Sequence, residues 1–313
     1  MLRAAGFWRR VFAFVIDGFL IGLVGFVLGL VLYDTLAQLG VWGRLVGFAI
    51  ALPYFGLMNS RLAGGQTFGK RWLGIRAQGV DGSLLSVPRA FARYGLLAVP
   101  FFLNGAPLPI QFVTGAWAYL TSFLVFGLGL SILYLFVFNR TTRRSLHDYL
   151  VGSWVVPAAT SRADATPMPL WRGHVATVAV LVLVSLSLPL AAQRISRAAV
   201  FADLMPAYGA VNAEPGVENA VVNIGWARNN GVEVTYTALA AQLSSPKVED
   251  EMLARRLALR AVAASPSLAK RDLMQVTLSY GFDLGIANAW RSFRFQFDPA
   301  ELAEAKASTG ASR

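Results

Sequence analysis

Residues 94–138 run for 45 positions without an Asp, Glu, Lys or Arg. A soluble fold of that length needs a solvated face, and charged side chains at helical or strand spacing build it. A bilayer imposes the opposite condition: an apolar helix of about 20 residues satisfies its own backbone and meets hydrocarbon on every side. The whole chain agrees, with 56% of its 313 residues apolar and 14% charged, against about 25% charged in soluble domains. It is therefore read as crossing a membrane several times.

The first apolar run covers residues 11–33, broken only by Asp17 and preceded by Arg3, Arg9 and Arg10. It is too long for a signal-peptide core and no small-residue cleavage site follows it, so it is read as a span. A second, shorter run covers residues 39–58, with Arg44 near its start. The charge-free block holds either one span or two. Its turn formers Asn104-Gly105-Ala106-Pro107-Leu108-Pro109 would divide it into a short helix from near Pro88 and a long one over residues 116–138. The alternative is an interfacial helix followed by one span. The last run covers residues 175–192.

Charge chooses between these. Residues 1–193 hold 15 Lys/Arg and 5 Asp/Glu, whereas residues 194–313 hold 13 and 12. A near-neutral soluble part argues against nucleic acid as a partner. The basic excess among apolar runs reads as the positive-inside bias of a membrane protein. With five spans, the N-terminus and residues 59–93 and 139–174 share one side and carry 14 of those 15 cations, leaving Arg44 on the other. With four, the split is 9 against 6. Five spans are expected, with a cytoplasmic N-terminus and residues 194–313 outside the cytoplasm.

Residues 194–313 follow a different pattern. Residues 221–227 and 232–237 read as strands joined at Arg228-Asn229-Asn230-Gly231, since Asn-Gly marks a hairpin. Residues 247–264 read as a helix with Glu249, Asp250 and Glu251 in its first turn and Arg255, Arg256 and Arg260 later, which suits the helix dipole. Its buried stripe would be Val248, Met252, Leu253 and Leu257. Residues 273–280 and 292–297 read as further strands, Phe293, Phe295 and Phe297 alternating with polar neighbours. The expected fold is an α-helical polytopic membrane protein of about five transmembrane helices with a small C-terminal α+β soluble domain. Residues 1–157 would form the membrane domain, 158–193 a linker and the last span, and 194–313 the extracytoplasmic domain.

Three stretches carry a family resemblance. They are Arg9-Arg10 through Ala13 to Asp17, then Gly65-Gln66-Thr67-Phe68-Gly69-Lys70-Arg71-Trp72-Leu73-Gly74-Ile75-Arg76, then Arg143-Arg144-Ser145-Leu146-His147-Asp148-Tyr149-Leu150-Val151-Gly152. In order and spacing, residues 5–157 resemble the RDD family of prokaryotic membrane proteins. The arginine and two aspartates of the family's name fall on Arg10, Asp17 and Asp148. One departure is Ser153-Trp154, where the family usually has a threonine after the glycine. The resemblance implies a multi-pass protein of the inner membrane, and some members are associated with cation/proton exchange.

Asp17 lies about six residues, or roughly 9 Å, into its apolar helix. A carboxylate there costs several kcal/mol unless it is paired or wetted. Either it is a cation or proton site, or it is half of a structural ion pair. Arg10 shares its face but lies about 10 Å away along the axis, so the expected partners are Lys70, Arg143 and Arg144. Gly18, Gly22, Gly25 and Gly29 form a helix-packing stripe rotated about 110° from Asp17. Gly64-Gly65-Gln66-Thr67-Phe68-Gly69-Lys70 nearly spells a P-loop, but Arg71 stands where that motif needs Ser or Thr. The expected role is a glycine turn that brings Lys70, Arg71 and Arg76 to lipid headgroups or to Asp17 or Asp148. His147 beside Asp148 would cap a helix or relay protons.

No cysteine is present and the histidines are two, His147 and His174, so no metal site is expected. There is no catalytic or cofactor motif, and no cofactor or enzyme activity is expected. Glu233, Asp272 and Asp283 are read as a solvated surface. Two functions stay open. One is exchange of small cations or protons through Asp17 and Asp148, with Arg10 as a pairing charge. The other is a non-transporting scaffold or sensor whose residues 194–313 bind a protein partner. Membrane lipids are partners in both.

Overall fold

The computed structural model describes residues 4–106, 108, 112, 115–159, 169–196, 199–229 and 231–310. These fall into two compact units. The first contains Met1–Val31, Val41–Ala191 and Asp283–Asn288. The second contains Leu32–Gly40, Ala192–Phe282 and Ala289–Arg313. The first helix, α1 (Phe7–Ala37), breaks helical geometry at Leu32, where the two units divide.

In the first unit α1 is followed by α2 (Gly43–Met58), the short α3 (Phe68–Trp72), strand β1 (Ile75–Gly79) and α4 (Val87–Leu103). Helix α5 (Gly115–Phe138) carries a π-helical turn at Phe123–Leu128. Then come the short α6 (Leu146–Leu150), strand β2 (Ser153–Pro157) and α7 (Arg172–Ser196). Four of these, α1, α2 (with its leading turn from Gly40), α5 and α7, are long and apolar enough to cross a membrane. Their outward faces are bare hydrocarbon, as lipid requires: Phe19, Leu30, Leu133 and Leu183 are all exposed.

Helix α4 has 17 residues and starts with Pro88 in its first turn, a position that needs no backbone donor. It packs along α2. Arg89 near its start donates to the Val151 and Gly152 carbonyls at 2.8 and 3.0 Å. At its far end the carbonyls of Phe102 and Asn104 accept from Arg44 at 3.0 and 2.5 Å. The turn 104–109 lies partly outside the described residues, at Pro107 and Pro109.

Strands β1 and β2 pair antiparallel, Ile75 opposite Pro157 and Gly79 opposite Ser153. Ala5 adds to them, its N–H donating to the Val155 carbonyl at 2.9 Å. This small sheet ties together three segments far apart in sequence: the lead-in to α1, the loop after α2 and the loop after α5.

The second unit is a four-stranded sheet in the order β3 (Val217–Asn229), β4 (Val232–Leu243), β5 (Leu273–Asp283), β6 (Asn288–Phe297). β3 and β4 are antiparallel, and β4 and β5 parallel. The β4–β5 crossover carries helix α9 (Glu251–Ala264), which with α8 (Ala199–Asn212) covers one face. Helix α10 (Pro299–Gly310) ends the described chain. The strands outrun the apolar alternation that first marks them. Helix α9 starts at Glu251, four residues later than expected, because Asp250 caps it and accepts from the Leu253 N–H at 2.9 Å. Met252 is not in its buried stripe but 74% exposed; Leu253, Ala254, Leu257, Ala258 and Ala261 fill that role. Asn230 of the expected hairpin turn lies outside the described residues. Glu214 is also buried, between Arg256 and Arg260 of α9 at 3.3 and 2.6 Å.

Candidate functional site: two buried carboxylates

Asp17 is 1% exposed. Its Oδ1 accepts from the Tyr54 hydroxyl of α2 at 2.7 Å and from the Gly69 N–H of α3 at 2.8 Å, and its Oδ2 accepts from the Thr67 hydroxyl at 2.5 Å. The glycine turn explains how these donors arrive. Gly64 and Gly65 take left-handed conformations, φ +69° and +73°, which a residue with a side chain adopts at a cost. Thr67 then caps α3, accepting from the Lys70 N–H at 3.3 Å. Gly69 lies directly on the α1 backbone, where a Cβ would overlap the Ala13 carbonyl oxygen. So the near P-loop cradles the chain's own Asp17 carboxyl.

The expected basic partners go elsewhere. Among the described residues, the ion pairs of this unit are Arg10–Asp148, Arg93–Asp148 and Arg44–Asp283, besides a His147–Asp148 approach; none includes Asp17. Lys70 points inward and donates to Asn59 Oδ1. Its pKa is held well below the usual lysine range, first by burial and then by Arg93, while Asp17 and Asp148 pull it back. Arg71 is exposed and reaches the Ala63 carbonyl at 3.3 Å. Arg76 sits in β1 and donates to Gln78 Oε1 at 3.1 Å. Arg143 has a positive φ of 50° and presents its carbonyl to Arg10.

Asp148 is fully buried. As the third residue of α6 it completes a capping box, accepting from the Ser145 N–H at 3.2 Å. Arg93 of α4 grips Oδ1 with Nε and Nη2 at 2.9 and 2.7 Å. Arg10 of α1 reaches Oδ2 at 3.2 Å, its guanidinium over the Phe136 ring. Ser153 donates to Oδ1 at 2.9 Å; a threonine at this position carries the same hydroxyl. Burial by itself would raise this carboxyl's pKa, but Arg93 and Arg10 hold it well below the usual carboxylate range. Arg144 donates to the carbonyls of Ser153 and Asp148 at 2.9 and 3.1 Å and stacks 4.0 Å over the Tyr149 ring.

His147 stands beside this cluster with Nε2 3.7 Å from Asp148 Oδ1. Burial, with Arg93 and Arg10 nearby, lowers its pKa to about 3. The imidazole is then neutral at ordinary pH. On α1, Gly18 has nothing within 4 Å of its Cβ position, Gly29 is buried, and Gly22 and Gly25 approach residues 286 and 287 instead of a neighbouring helix.

The elements thus bring Arg10 to Asp148 and keep both apart from Asp17. Arg93, Tyr54 and Asn59 escape the sequence reading. Arg93 is the last charge before the charge-free block, and that edge position is the one signal that marks it. Gly69→Val tests the geometry. The added volume pushes first against the Ala13 backbone, so it should cost about 1–3 kcal/mol in denaturation of the purified protein. Gly95→Val, where nothing lies within 4 Å, serves as the control. Equal effects at both positions would mean that α3 does not sit on α1.

No curated protein and no solved structure matches the chain. A model of the RDD family matches residues 4–152, a stretch that includes Arg10, Asp17, Arg93 and Asp148. Residues 4–152, just under half of this multi-pass membrane chain, are similar to the RDD family.

Proposed function

We propose that this protein exchanges small cations or protons across the inner membrane, with Asp17 as the group that changes charge. The Arg10–Asp148–Arg93 cluster is then a fixed frame. One observation carries the reading: Asp17 is buried in a cradle of hydroxyl and amide donors and, among the described residues, belongs to none of the ion pairs of its unit. It can take up a proton or cation without breaking a charge pair, whereas Asp148 would have to part from two arginines. In this reading the protein is a transporter, not an enzyme.

Five crossings fit this proposal better than four. Helix α4 starts where Arg89 reaches Val151 and Gly152, just past Asp148, and ends at Arg44, opposite ends of the bundle, and about 25 Å of helix suits a thin span. Exposed Trp8, Trp72 and Trp171 mark one end, and Trp42 and Trp117 the other, as interfacial anchors do. The basic end, with Asp148, faces the cytoplasm, and α7 leads residues 194–313 to the far side.

Ion-dependent proton flux in proteoliposomes tests the proposal, with wild type beside Asp17→Asn at matched reconstitution. Flux under a Na⁺, K⁺ or Li⁺ gradient should fall at least about tenfold in the variant, the effect of removing a reacting group worth about 1.4 kcal/mol or more. No flux in either would favour the second reading, a membrane scaffold whose residues 194–313 bind a protein. That reading is favoured by Asp17 tying α1 to α2 and α3 through three hydrogen bonds. Under it, deleting residues 194–313 removes the cellular phenotype.

A further inference from the structure

The segment Asp283–Asn288 is part of the membrane unit and packs there almost backbone to backbone. On α2, a Cβ at Gly47 would overlap the Leu284 carbonyl oxygen, and one at Gly43 would lie 2.7 Å from that of Asp283. On α1, a Cβ at Gly25 would meet the Ala287 Cβ at 2.8 Å, and one at Gly22 the Ile286 carbonyl oxygen at 3.3 Å. On the third side, Gly285 (φ +72°) faces Phe102 of α4, whose ring would lie 2.8 Å from an added Cβ. The segment therefore fills a notch between α1, α2 and α4, and glycines on α1 and α2 make the room.

Its occupant is suited to sealing. Residues 284–287 are Leu, Gly, Ile and Ala, without a polar side chain. Their turn is closed by the Leu284 N–H on the Ala287 carbonyl at 2.9 Å and the Gly285 N–H on Asp283 Oδ1 at 2.7 Å. Ile286 lies against the apolar cluster of Ile21, Ala51, Phe55, Tyr94, Ala98 and Phe102. One helical turn before Ile21 is Asp17. Asp283, expected on a solvated surface, is gripped by Arg44 Nε and Nη2 at 2.9 and 2.7 Å. The same guanidinium holds the end of α4 through the Phe102 and Asn104 carbonyls.

We propose that Asp283–Asn288 is a latched plug that closes the Arg44 end of the bundle to water and solutes, and that it opens when the Arg44–Asp283 pair breaks. The latch differs in kind from the Asp148 cluster. Its side chains are 16% and 26% exposed, against 7% and 0% for Arg10 and Asp148. Water and salt compete for an exposed pair and not for a buried one. The plug holds as a proposal whether or not the chain carries ions.

The protein has no cysteine, so one introduced thiol reports access. Ala98, 1% exposed, lies in the cluster under the plug; Ala90, 0% exposed, lies in α4 nearer Asp148. Each becomes Cys in the full chain and is treated with a membrane-impermeant maleimide. Ala98→Cys should label slowly, and at least tenfold faster with either Arg44→Gln or Asp283→Asn. Ala90→Cys should stay slow throughout. Unchanged labelling of Ala98→Cys would make the segment a static wedge and overturn the proposal. Faster labelling at both positions would overturn it too, since Arg44 would then stabilise the fold as a whole.

Discussion

Replacing Arg93 with alanine should lower the stability of the detergent-solubilised protein by about 3–5 kcal/mol, the effect of removing one partner from a buried ion pair. Asp148 is fully buried, and Arg93 supplies two of its charged contacts, at 2.9 and 2.7 Å. Arg10 remains, but at 3.2 Å through one nitrogen and with its other nitrogen turned to Arg143. The loss is comparable with the total stability of many domains, so little folded protein should be recovered. Combining Arg93→Ala with Asp148→Asn should return part of it, because the uncompensated charge goes with the carboxylate. The readout is a denaturation midpoint for the two single variants and the double. A loss under about 1 kcal/mol in Arg93→Ala would place this cluster with weak surface pairs and end its reading as a frame.

The spans are legible because hydrocarbon demands apolar runs whatever the tertiary contacts, and the helices at the charge-free block begin at Val87 and Gly115, each one residue from the expected Pro88 and Ala116. The partners of the two aspartates are not legible, for reasons visible at particular residues. Arg93 reaches Asp148 only because β1 and β2 fold α6 back against α4. Those strands are short, and β1 is buried at Ile75, Ala77, Gln78 and Gly79, so no period-two alternation announces them. Asp17 invites a search for cations, yet its donors are a phenol, a hydroxyl and a backbone N–H. The last of these has no side-chain signature at all. Gly69 carries the clue, since a glycine amid Phe68, Lys70 and Arg71 marks a close backbone approach, but the sequence does not say to which helix. In α9 the Glu249-Asp250-Glu251 run is legible as a helix start, and only the cap geometry assigns Asp250 its place outside the first turn.

Lowering the pH from about 6.5 to about 4 should destabilise the protein by about 3 kcal/mol through His147 alone, at about 1.4 kcal/mol per pH unit. The ring is 5% exposed and, among the described residues, its Nδ1 has no hydrogen-bond partner. Protonation would add a charge among Arg93, Arg10 and Lys70, and burial with those cations holds the folded pKa near 3. In the unfolded chain the ring titrates at about 6.5. Between these values the unfolded state binds the proton and the folded state does not. His147 therefore contributes stability that is fully present above about pH 6.5 and is lost as the pH falls toward the folded value. Asp148 acts lower down: its folded pKa is depressed, so its contribution is present above the unfolded value of about 3.9 and is lost beneath it. The two windows separate, and the upper one belongs to the imidazole. Denaturation midpoints at pH 7.5, 6.5, 5.5 and 4.5 for wild type and His147→Gln would measure it, because glutamine does not titrate. The acid slope should survive in wild type and largely vanish in the variant. Parallel slopes would mean that the folded protein accepts the proton on His147, and with it that the Arg10–Asp148–Arg93 cluster admits water.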